Sequence, residues 1–317
     1  MARITRILVP ADFSATSDAA LTYAQRLAEQ FGASLHLVHA FEDPFTAAAF
    51  AAEMYTPLPL SMRDAMLRDA QQRLDDRLPA EQQARFEGTT AILAGQPATV
   101  ILDRAKATDA SVIVMGTHGR GGMAHLLLGS VAERVVRHAP CPVLTIREAP
   151  ARSTKRILVP TDFSPTSDAA LEFALPLAER LGASLHLLHV LDDPFVADGL
   201  SSEAYMTEAP TLRTAMLQDA QERLAHRASP TTPGVARIET EVLFGHGAKT
   251  IAEYAAAREV DLIVMGTHGR TGVAHFLLGS VAERLVRTAP CPVLTVRQPK
   301  ARRHDAAPDH DVERLPA

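Results

Sequence analysis

The sequence predicts an α/β protein built from two tandem domains, each with a parallel sheet covered by helices on both faces. Three observations carry this expectation: a length of 317 residues, an internal repeat, and a regular alternation of strand-like and helix-like segments. A chain of this length suits two domains of roughly 100–200 residues each. Parallel strands need crossover connections, which helices supply, so the alternation favours a parallel sheet.

The repeat divides the chain into two copies offset by 150 residues. Residues 6–45 match 156–195 at 28 of 40 positions, and residues 112–147 match 262–297 at 29 of 36. The segments between these blocks are much more diverged. A unit this long is a complete domain rather than a solenoid repeat. We therefore predict one domain at 1–150, a second at 151–297, and a polar tail at 298–317 that is expected to be disordered.

The sequence of each copy predicts strands and helices in alternation. Buried strands are short apolar runs, and helices carry an apolar stripe at helical spacing. Ser14 is placed to cap the first helix and Gly32 to end it. In chain order, the sequence of the first copy predicts a strand at 7–9, a helix between Ser14 and Gly32, a strand at 34–39, a helix at 62–74, a strand at 89–93, a helix from 98, a strand at 111–115, a helix at 130–137 and a strand at 142–146.

The composition limits the kinds of molecule that the protein is expected to bind. The formal net charge is −5 and the isoelectric point is near 6.2, which argues against a nucleic-acid binder because such proteins usually carry a basic face. Two cysteines are too few for a disulfide framework and fit a reducing compartment. Neither a long apolar run nor a leader pattern is visible. The expectation is a cytoplasmic protein with no nucleic-acid or membrane partner.

A glycine loop follows the fourth strand of each copy. It has the spacing G-x2-G-x9-G-S, with Gly116, Gly119 and Gly129-Ser130 in the first copy and Gly266, Gly269 and Gly279-Ser280 in the second. Glycine lets the backbone approach a ligand, and the amides of such a turn and of the following helix start attract anions. Arg120 and Arg270 add a cation to each loop. The alternative is that these glycines merely end a strand and begin a helix, but the two complete copies favour a phosphate site.

These motifs resemble the universal stress proteins of the UspA family, here in tandem. The resemblance rests on the opening Ile-Leu-Val-Pro-x-Asp-Phe-Ser, the glycine loop, and the Ala-Pro-Cys-Pro-Val-Leu-Thr ending, and it covers nearly all of residues 1–297. It implies Rossmann-like domains of the adenine nucleotide alpha hydrolase-like type, with five strands in the order 3-2-1-4-5. It also implies pairing through the fifth strand, so the two copies are expected to form a pseudo-dimer within one chain, with a homodimer of whole chains as a further assembly.

The resemblance also implies an ATP site in each copy. Asp12 and Asp162 would contact the adenosine, the backbone at Ala11, Thr161, Ala40 and Val190 would flank the base, and the glycine loops would hold ribose and phosphates. Loop residues with this implied role are Gly116, His118, Gly119, Arg120, Gly129, Ser130 and Val131, and in the second copy Gly266, His268, Gly269, Arg270, Gly279, Ser280 and Val281.

Several residues in these motifs have an alternative, structural interpretation. Asp12 could serve as a turn or cap residue before the first helix. The pair His36 and His39, which recurs as His186 and His189, is interpreted as structural, because residues three apart on a strand point to opposite faces. Cys141 and Cys291 are expected to be small buried apolar residues rather than redox thiols. The Met and Leu stripe at 62–74 is predicted to be core.

The function predicted from these observations is an ATP-binding regulatory module in the stress response, acting with a protein partner that the sequence does not name. The alternative is a slow ATPase or nucleotidyl-transfer enzyme that uses the same pockets. The chain has no Walker A motif, and residues 116–130 contain no carboxylate, so at most weak hydrolysis is expected. Any Mg²⁺ is expected to be held mainly by the ATP phosphates, and no protein metal site is predicted.

Overall fold

The computed structural model describes residues 4–42, 60–119, 128–148, 153–192, 203–228, 238–267 and 278–297. The strands in this part of the chain are β1 Arg6–Pro10, β2 Ser34–Phe41, β3 Thr89–Ala94, β4 Val112–Gly116, β5 Val143–Ile146, β6 Arg156–Pro160, β7 Ser184–Leu191, β8 Ile238–Phe244, β9 Leu262–Gly266 and β10 Val293–Val296. The helices are α1 Ala15–Phe31, α2 Leu60–Arg77, α3 Ala80–Arg85, α4 Pro97–Ala107, α5 Ser130–His138, α6 Pro165–Leu181, α7 Glu203–Ala228, α8 Gly247–Ala257 and α9 Ser280–Thr288.

All ten strands belong to one sheet, in the order β3-β2-β1-β4-β5-β10-β9-β6-β7-β8. Within each copy the neighbouring strands are parallel. The first copy therefore has the order 3-2-1-4-5, which confirms the α/β fold class and the strand order implied by the resemblance. The second copy repeats the same order from β8 to β10. The short helix α3 is an addition that the sequence pattern did not predict.

The strands alternate their side chains between two apolar layers, as a sheet covered on both faces requires. In β1, Ile7 and Val9 join one layer, which also contains residues of α1, α2, α6 and α7. Leu8 points to the other layer, which contains residues of α4, α5, α8 and α9. The caps of α1 are those the sequence predicts: the Ser14 hydroxyl accepts from the Ser17 amide, and Gly32 adopts a left-handed conformation with φ of 64°.

The two copies are joined by an antiparallel ladder between β5 and β10, in which Leu144 lies opposite Leu294. Two threonine side chains add bonds across it. The Thr145 hydroxyl donates to the Val293 carbonyl oxygen at 3.0 Å, and the Thr295 hydroxyl donates to the Val143 carbonyl oxygen at 3.2 Å. All residues of both strands are buried. The fifth strand of each copy is therefore an interior strand of the common sheet.

An arginine side chain of each copy also donates a hydrogen bond to the C-terminal end of a helix in the other copy. Arg297 Nη1 donates to the carbonyl oxygen of Arg137 in the last turn of α5 at 2.7 Å, and Arg147 Nη1 donates to that of Ala289 at the end of α9 at 3.4 Å. A cation near a helix C-terminus satisfies carbonyls that lack intrahelical partners. These contacts tie the last helix of each copy to the other copy. No helix among the described residues is long and apolar enough to cross a membrane.

Isolated residues 1–150 are predicted to self-associate. Removing the second copy exposes β5, an apolar edge strand with unpaired backbone groups, and such an edge pairs with another copy of itself. Analytical ultracentrifugation of the fragment at increasing concentration should show a monomer–dimer equilibrium. The matched variant Thr145→Lys places a charge on that edge and should shift the fragment toward monomer. A stable, folded fragment that stays monomeric at high concentration would contradict the prediction.

Candidate functional site

A cavity lies at the carboxyl ends of the central strands in each copy, where parallel α/β sheets bind ligands. The first, site 1, has a volume of about 1040 Å³ and lies at the ends of β1, β2 and β4. The second, site 2, has a volume of about 650 Å³ and lies at the ends of β6, β7 and β9. Both volumes suit a small-molecule ligand, for which clefts of roughly 300–1,000 Å³ are usual.

The turn between β1 and α1 fixes the Asp12 carboxylate. Its Oδ1 accepts from the Ser14 amide at 3.0 Å and from the Ser14 hydroxyl at 2.6 Å, so Asp12 does have the turn role that the sequence allowed. The other oxygen, Oδ2, lies 2.7 Å from the position that a Cβ on Gly119 would occupy. Asp12 therefore forms the turn and also lies against the glycine loop. Asp162 makes the same two bonds to Ser164.

The next residue, Phe13, holds a strained backbone in the same turn. Its φ is 65°, a left-handed conformation that costs free energy for a residue with a Cβ. Its ring lies between the His39 ring, at 4.5 Å, and the guanidinium of Arg73, at 4.1 Å. His39 is itself held by a bond from Nδ1 to the Ala11 carbonyl oxygen at 2.7 Å. The second copy repeats the whole arrangement with Phe163, His189, Arg223 and Thr161.

Gly116, the last residue of β4, is a glycine because α1 packs directly against it. A Cβ at this position would lie 2.9 Å from Thr16 Oγ1 and 3.0 Å from the Thr16 carbonyl carbon. The Thr16 hydroxyl then donates to the His118 carbonyl oxygen at 2.5 Å, which fastens the start of the glycine loop to α1. Gly266 is equally close to the second copy's helix, since its Cβ would lie 2.8 Å from the Thr166 carbonyl oxygen.

Gly129 closes the far end of the loop. Its amide donates to the Thr117 carbonyl oxygen at 2.9 Å, and a Cβ would lie 3.1 Å from that same oxygen. The Gly279 amide makes the equivalent bond to Thr267 at 2.8 Å. The glycine is therefore required first by loop closure, and a side chain there would press on the loop itself. The closed loop sets where the next helix begins.

That helix, α5, begins at Ser130 and has no side-chain cap, because its N-cap residue is Gly129. The amides of its first turn lack intrahelical partners, and Ser130, Val131 and Ala132 line site 1. Helix α9 begins in the same way at Ser280, and Ser280, Val281 and Ala282 line site 2. Each site therefore ends on an uncapped helix start, where an anion is favoured.

The structure brings the sequence-predicted residues together in the two sites. Those lining site 1 are Ala11, Asp12, Ala40, Gly116, His118, Gly119, Gly129, Ser130 and Val131. Those lining site 2 are Thr161, Asp162, Val190, Gly266, Gly279, Ser280 and Val281. Arg120, His268, Gly269 and Arg270 lie outside the described residues.

His118 has one satisfied ring nitrogen and one that is orphaned. Nδ1 is hydrogen-bonded to the Thr117 hydroxyl at 2.9 Å, whereas Nε2 is buried and has no hydrogen-bond partner in the described part of the chain. Buried polar atoms are almost always paired, so an orphan on a cavity wall indicates a place for a ligand group or a water molecule.

The prediction that the 62–74 stripe is core is wrong for its first half. Ala70 and Leu74 are buried, but Met62 is 53% exposed and Met66 is 36% exposed, and both line site 1. The first turns of α2 lie over the cavity rather than over the sheet. Apolar residues four apart predict one face of a helix, and that spacing is the same for a core face and for a pocket wall. Other wall residues for which the sequence predicted no role in ligand binding are Phe13, His39, Glu42, Asp69 and Arg73.

The histidine and cysteine residues outside the loops have structural surroundings. His36 is hydrogen-bonded to Thr89 and Ser34, His186 is hydrogen-bonded to Tyr254, and burial lowers the pKa of both histidines. Burial raises the pKa of the Cys141 and Cys291 thiols to about 12, so very little reactive thiolate is present near neutral pH. Among the described residues, no group of three or more His, Cys, Asp or Glu side chains is placed to hold a metal ion.

Two parallel α/β units, each with a glycine turn, an uncapped helix start and a cavity at the ends of its central strands, define a tandem Rossmann-like protein. The sequence model of the universal stress protein family matches residues 3–147 and again residues 153–297. The chain belongs to the universal stress protein family.

Some relatives match almost the whole of this chain, and others match about half of it. A universal stress protein of Mycolicibacterium smegmatis is 30% identical over 300 residues, which span 92% of this chain and 96% of that protein. Universal stress protein MJ0531 of Methanocaldococcus jannaschii is 40% identical over 147 residues, 46% of this chain and 84% of that protein. The crystal structure of a universal stress protein from Archaeoglobus fulgidus covers 92% of this chain and 98% of its own, with a TM-score of 0.64 and 22% identity, and shares the fold.

The close packing at Gly116 predicts that Gly116→Ala lowers the free energy of unfolding by about 1–3 kcal/mol, because the new Cβ must displace the backbone of α1. Urea denaturation measures the change. Gly119→Ala is the matched control: among the described residues its Cβ would meet the Asp12 carboxylate, a side chain that can move, so a smaller loss is expected. Equal losses in the two variants, or no loss at Gly116, would contradict this account.

Proposed function

We propose that this protein is an ATP-binding regulatory module with one nucleotide site in each copy. The observation that carries the proposal is the convergence, twice in one chain, of a fixed aspartate, a close-packed glycine turn and an uncapped helix start on one cavity. In site 1 the aspartate is Asp12, the glycine turn contains Gly119, and the helix starts at Ser130. An adenine nucleotide has a ring, a ribose and a phosphate chain, and the cavity offers a matching surface for each.

The phosphate chain is assigned to the start of α5 and the glycine turn. The first amides of α5 are unpaired donors at the positive end of a helix dipole. His118, whose buried Nε2 has no partner among the described residues, also lines the cavity. The missing Cβ atoms of Gly119 and Gly129 let the loop backbone come close to a ligand. Site 2 has the equivalent uncapped helix start, lined by Gly279 and Ser280.

The nucleoside is assigned to the ends of β1 and β2. The Asp12 carboxylate lines the cavity and is an acceptor for a ribose hydroxyl, because an ionised carboxylate has about four acceptor sites. Ala40, Ile101 and Met115 give an apolar surface for the base. Mg²⁺ would arrive with the nucleotide and neutralise phosphate charge, with the phosphates as its main ligands.

We further propose that the nucleotide acts as a switch for an unidentified protein partner rather than as a substrate. Rapid hydrolysis needs a base that orients water and charge stabilisation on the transferred phosphoryl group. In the described part of site 1 the candidate base beside the glycine turn is His118, whose Nδ1 is already engaged by Thr117. Slow hydrolysis at the same pockets is the second candidate function, and His118 is the observation that favours it.

ATP is predicted to bind with a stoichiometry of two per chain in isothermal titration calorimetry. Ser130→Asp should reduce this to one, because a carboxylate at the start of α5 repels phosphate while remaining favourable to the helix. Ser280→Asp should do the same at site 2, and the double variant should bind none. Ala80→Asp adds the same charge at the start of α3, away from both sites, and is the control. Two bound ATP in the double variant, or none in the wild type, would refute the assignment.

Phosphate release from Mg-ATP is predicted to be well below the usual enzymatic range of roughly 1–10³ s⁻¹. The physical reason is the shortage of a free, positioned base near the glycine turn. A coupled phosphate assay with purified full-length protein measures it. Several turnovers per second that disappear in the combined variant His118→Ala with His268→Ala would make the protein an ATPase and overturn the switch proposal.

A further inference from the structure

The histidine near the end of β2 contacts the residues on both sides of the site aspartate. His39 Nδ1 donates to the carbonyl oxygen of Ala11 at 2.7 Å, and the His39 ring lies 4.5 Å from the ring of Phe13. One imidazole therefore holds the residue before Asp12 and the residue after it. We refer to the histidine with its phenylalanine as the His–Phe bracket. Site 2 repeats both contacts, at 2.6 Å and 4.3 Å, with His189, Thr161 and Phe163.

Two arginines of α2 contact the phenylalanine of the bracket. The guanidinium of Arg73 lies 4.1 Å from the centre of the Phe13 ring and that of Arg77 lies 5.0 Å from it, distances at which a cation is attracted to an aromatic face. Arg73 also pairs with Asp69, and Arg77 pairs with Asp18. The same pairs and ring contacts recur 150 residues later, with Arg223, Arg227, Asp219, Asp168 and Phe163. This set of contacts is therefore kept in both copies, although α2 and α7 lie in the diverged segments.

The bracket is kept at the cost of a strained backbone. Phe13 and Phe163 both have a φ of 65°, a conformation that glycine would adopt without that cost. At another equivalent pair of strained positions, outside both sites, the residue differs between the copies: Asp109 in the first and Glu259 in the second. Strained residues are concentrated at functional sites. A phenylalanine retained twice in this conformation beside a cavity therefore indicates a role for its ring.

The residue that the bracket fixes is the aspartate between its two contacts. With the backbone held at Ala11 and Phe13, the direction in which the Asp12 side chain leaves the chain is set, and the bond from the Ser14 amide to Oδ1 then sets its rotation. A carboxylate positioned in this way accepts a hydrogen bond without first losing conformational freedom. Its negative charge disfavours phosphate and favours a hydroxyl donor.

We propose that the His–Phe brackets are positioning devices that aim Asp12 and Asp162 at the ribose hydroxyls, and that both sites consequently select ribonucleotides over nucleotides that lack these hydroxyls. This inference rests on the proposed ATP-binding function, because it places the ribose at the aspartate. It goes beyond that function by naming the sugar as the part of the ligand that is selected, and the bracket as the device that selects it.

Isothermal titration calorimetry of the full-length chain with ATP and with 2′,3′-dideoxy-ATP tests the proposal. The dissociation constant for 2′,3′-dideoxy-ATP divided by that for ATP is the sugar ratio. A hydrogen bond to a charged group supports a ratio of about ten or more in the wild type. Asp12→Asn with Asp162→Asn retains an oxygen for the turn but removes the charged acceptor, so the ratio should fall toward one.

The decisive variant is Phe13→Gly with Phe163→Gly, because glycine accepts the φ of the turn while the ring is lost. The sugar ratio should fall toward one through weaker ATP binding, with a much smaller change for 2′,3′-dideoxy-ATP. Phe13→Tyr with Phe163→Tyr keeps the ring and should restore the ratio. His39→Asn with His189→Asn keeps a donor in the place of Nδ1 but removes the imidazole ring, and it should also lower the ratio.

Asp109→Gly with Glu259→Gly is the matched control. It relieves the same kind of backbone strain in both copies at exposed positions outside the sites, so the sugar ratio should stay at the wild-type value. Circular dichroism checks that each variant is folded. Should the glycine variant at Phe13 and Phe163 fail to fold, the asparagine variant at His39 and His189 decides in its place.

The outcomes separate this inference from the function on which it rests. A wild-type sugar ratio near one, with ATP still bound at two per chain, overturns the inference and leaves the ATP sites intact. Equal weakening of both nucleotides in the bracket variants shows that the bracket has a structural role only, and this also overturns the inference. Absence of ATP binding to the wild type overturns the proposed function itself.

Discussion

The contact between the start of α1 and the end of β4 is the constraint on which each site depends. Gly116 has no Cβ because Thr16 occupies that space, and the Thr16 hydroxyl bonds to the His118 carbonyl oxygen beyond it. This approach brings the turn after β1 against the turn after β4, so that Asp12 lies beside Gly119. The strained turn at Phe13 is stabilised by contacts of the Phe13 ring with a histidine ring and an arginine. These contacts position the two turns before any ligand arrives, which favours binding because less entropy is lost.

The continuous sheet extends that constraint from one copy to the other. β4 pairs with β5, β5 with β10, and β10 with β9, whose last residue is Gly266. Because β5 and β10 are antiparallel, the two sites open at opposite ends of the strands. Helix α5 begins in site 1 and receives the Arg297 side chain of the second copy at its last turn. The C-terminal ends of α5 and α9 are therefore each held by an arginine of the other copy, although the residues that line each site belong to one copy.

Much of this arrangement was predictable from local sequence, and the rest was not for identifiable reasons. Caps such as Ser14 and Gly32 act within one turn of helix, and the glycine loop keeps one spacing in both copies, so the sequence displays them directly. The stack of Arg73 on Phe13 joins residues far apart in the chain, and only the packing of α2 brings them together. Met62 was assigned to the core because apolar spacing reports a helix face but not what covers it. The contact that a Cβ on Gly129 would make with the Thr117 carbonyl oxygen, at 3.1 Å, likewise follows from how the loop closes and not from the spacing of its glycines.

The pattern of divergence between the copies follows from how each part of a site is built. The glycine loop and helix start act through backbone amides, which tolerate few changes of conformation, and this region is nearly identical in both copies, with 29 of 36 residues shared. The opposite end of each cavity is lined by side chains, and there Val190 of the second copy replaces Ala40 of the first. A backbone site cannot change its preference by substitution without losing its geometry, whereas a side-chain wall can. Duplication of such a domain therefore preserves the glycine-loop end of each cavity and leaves the opposite end free to differ.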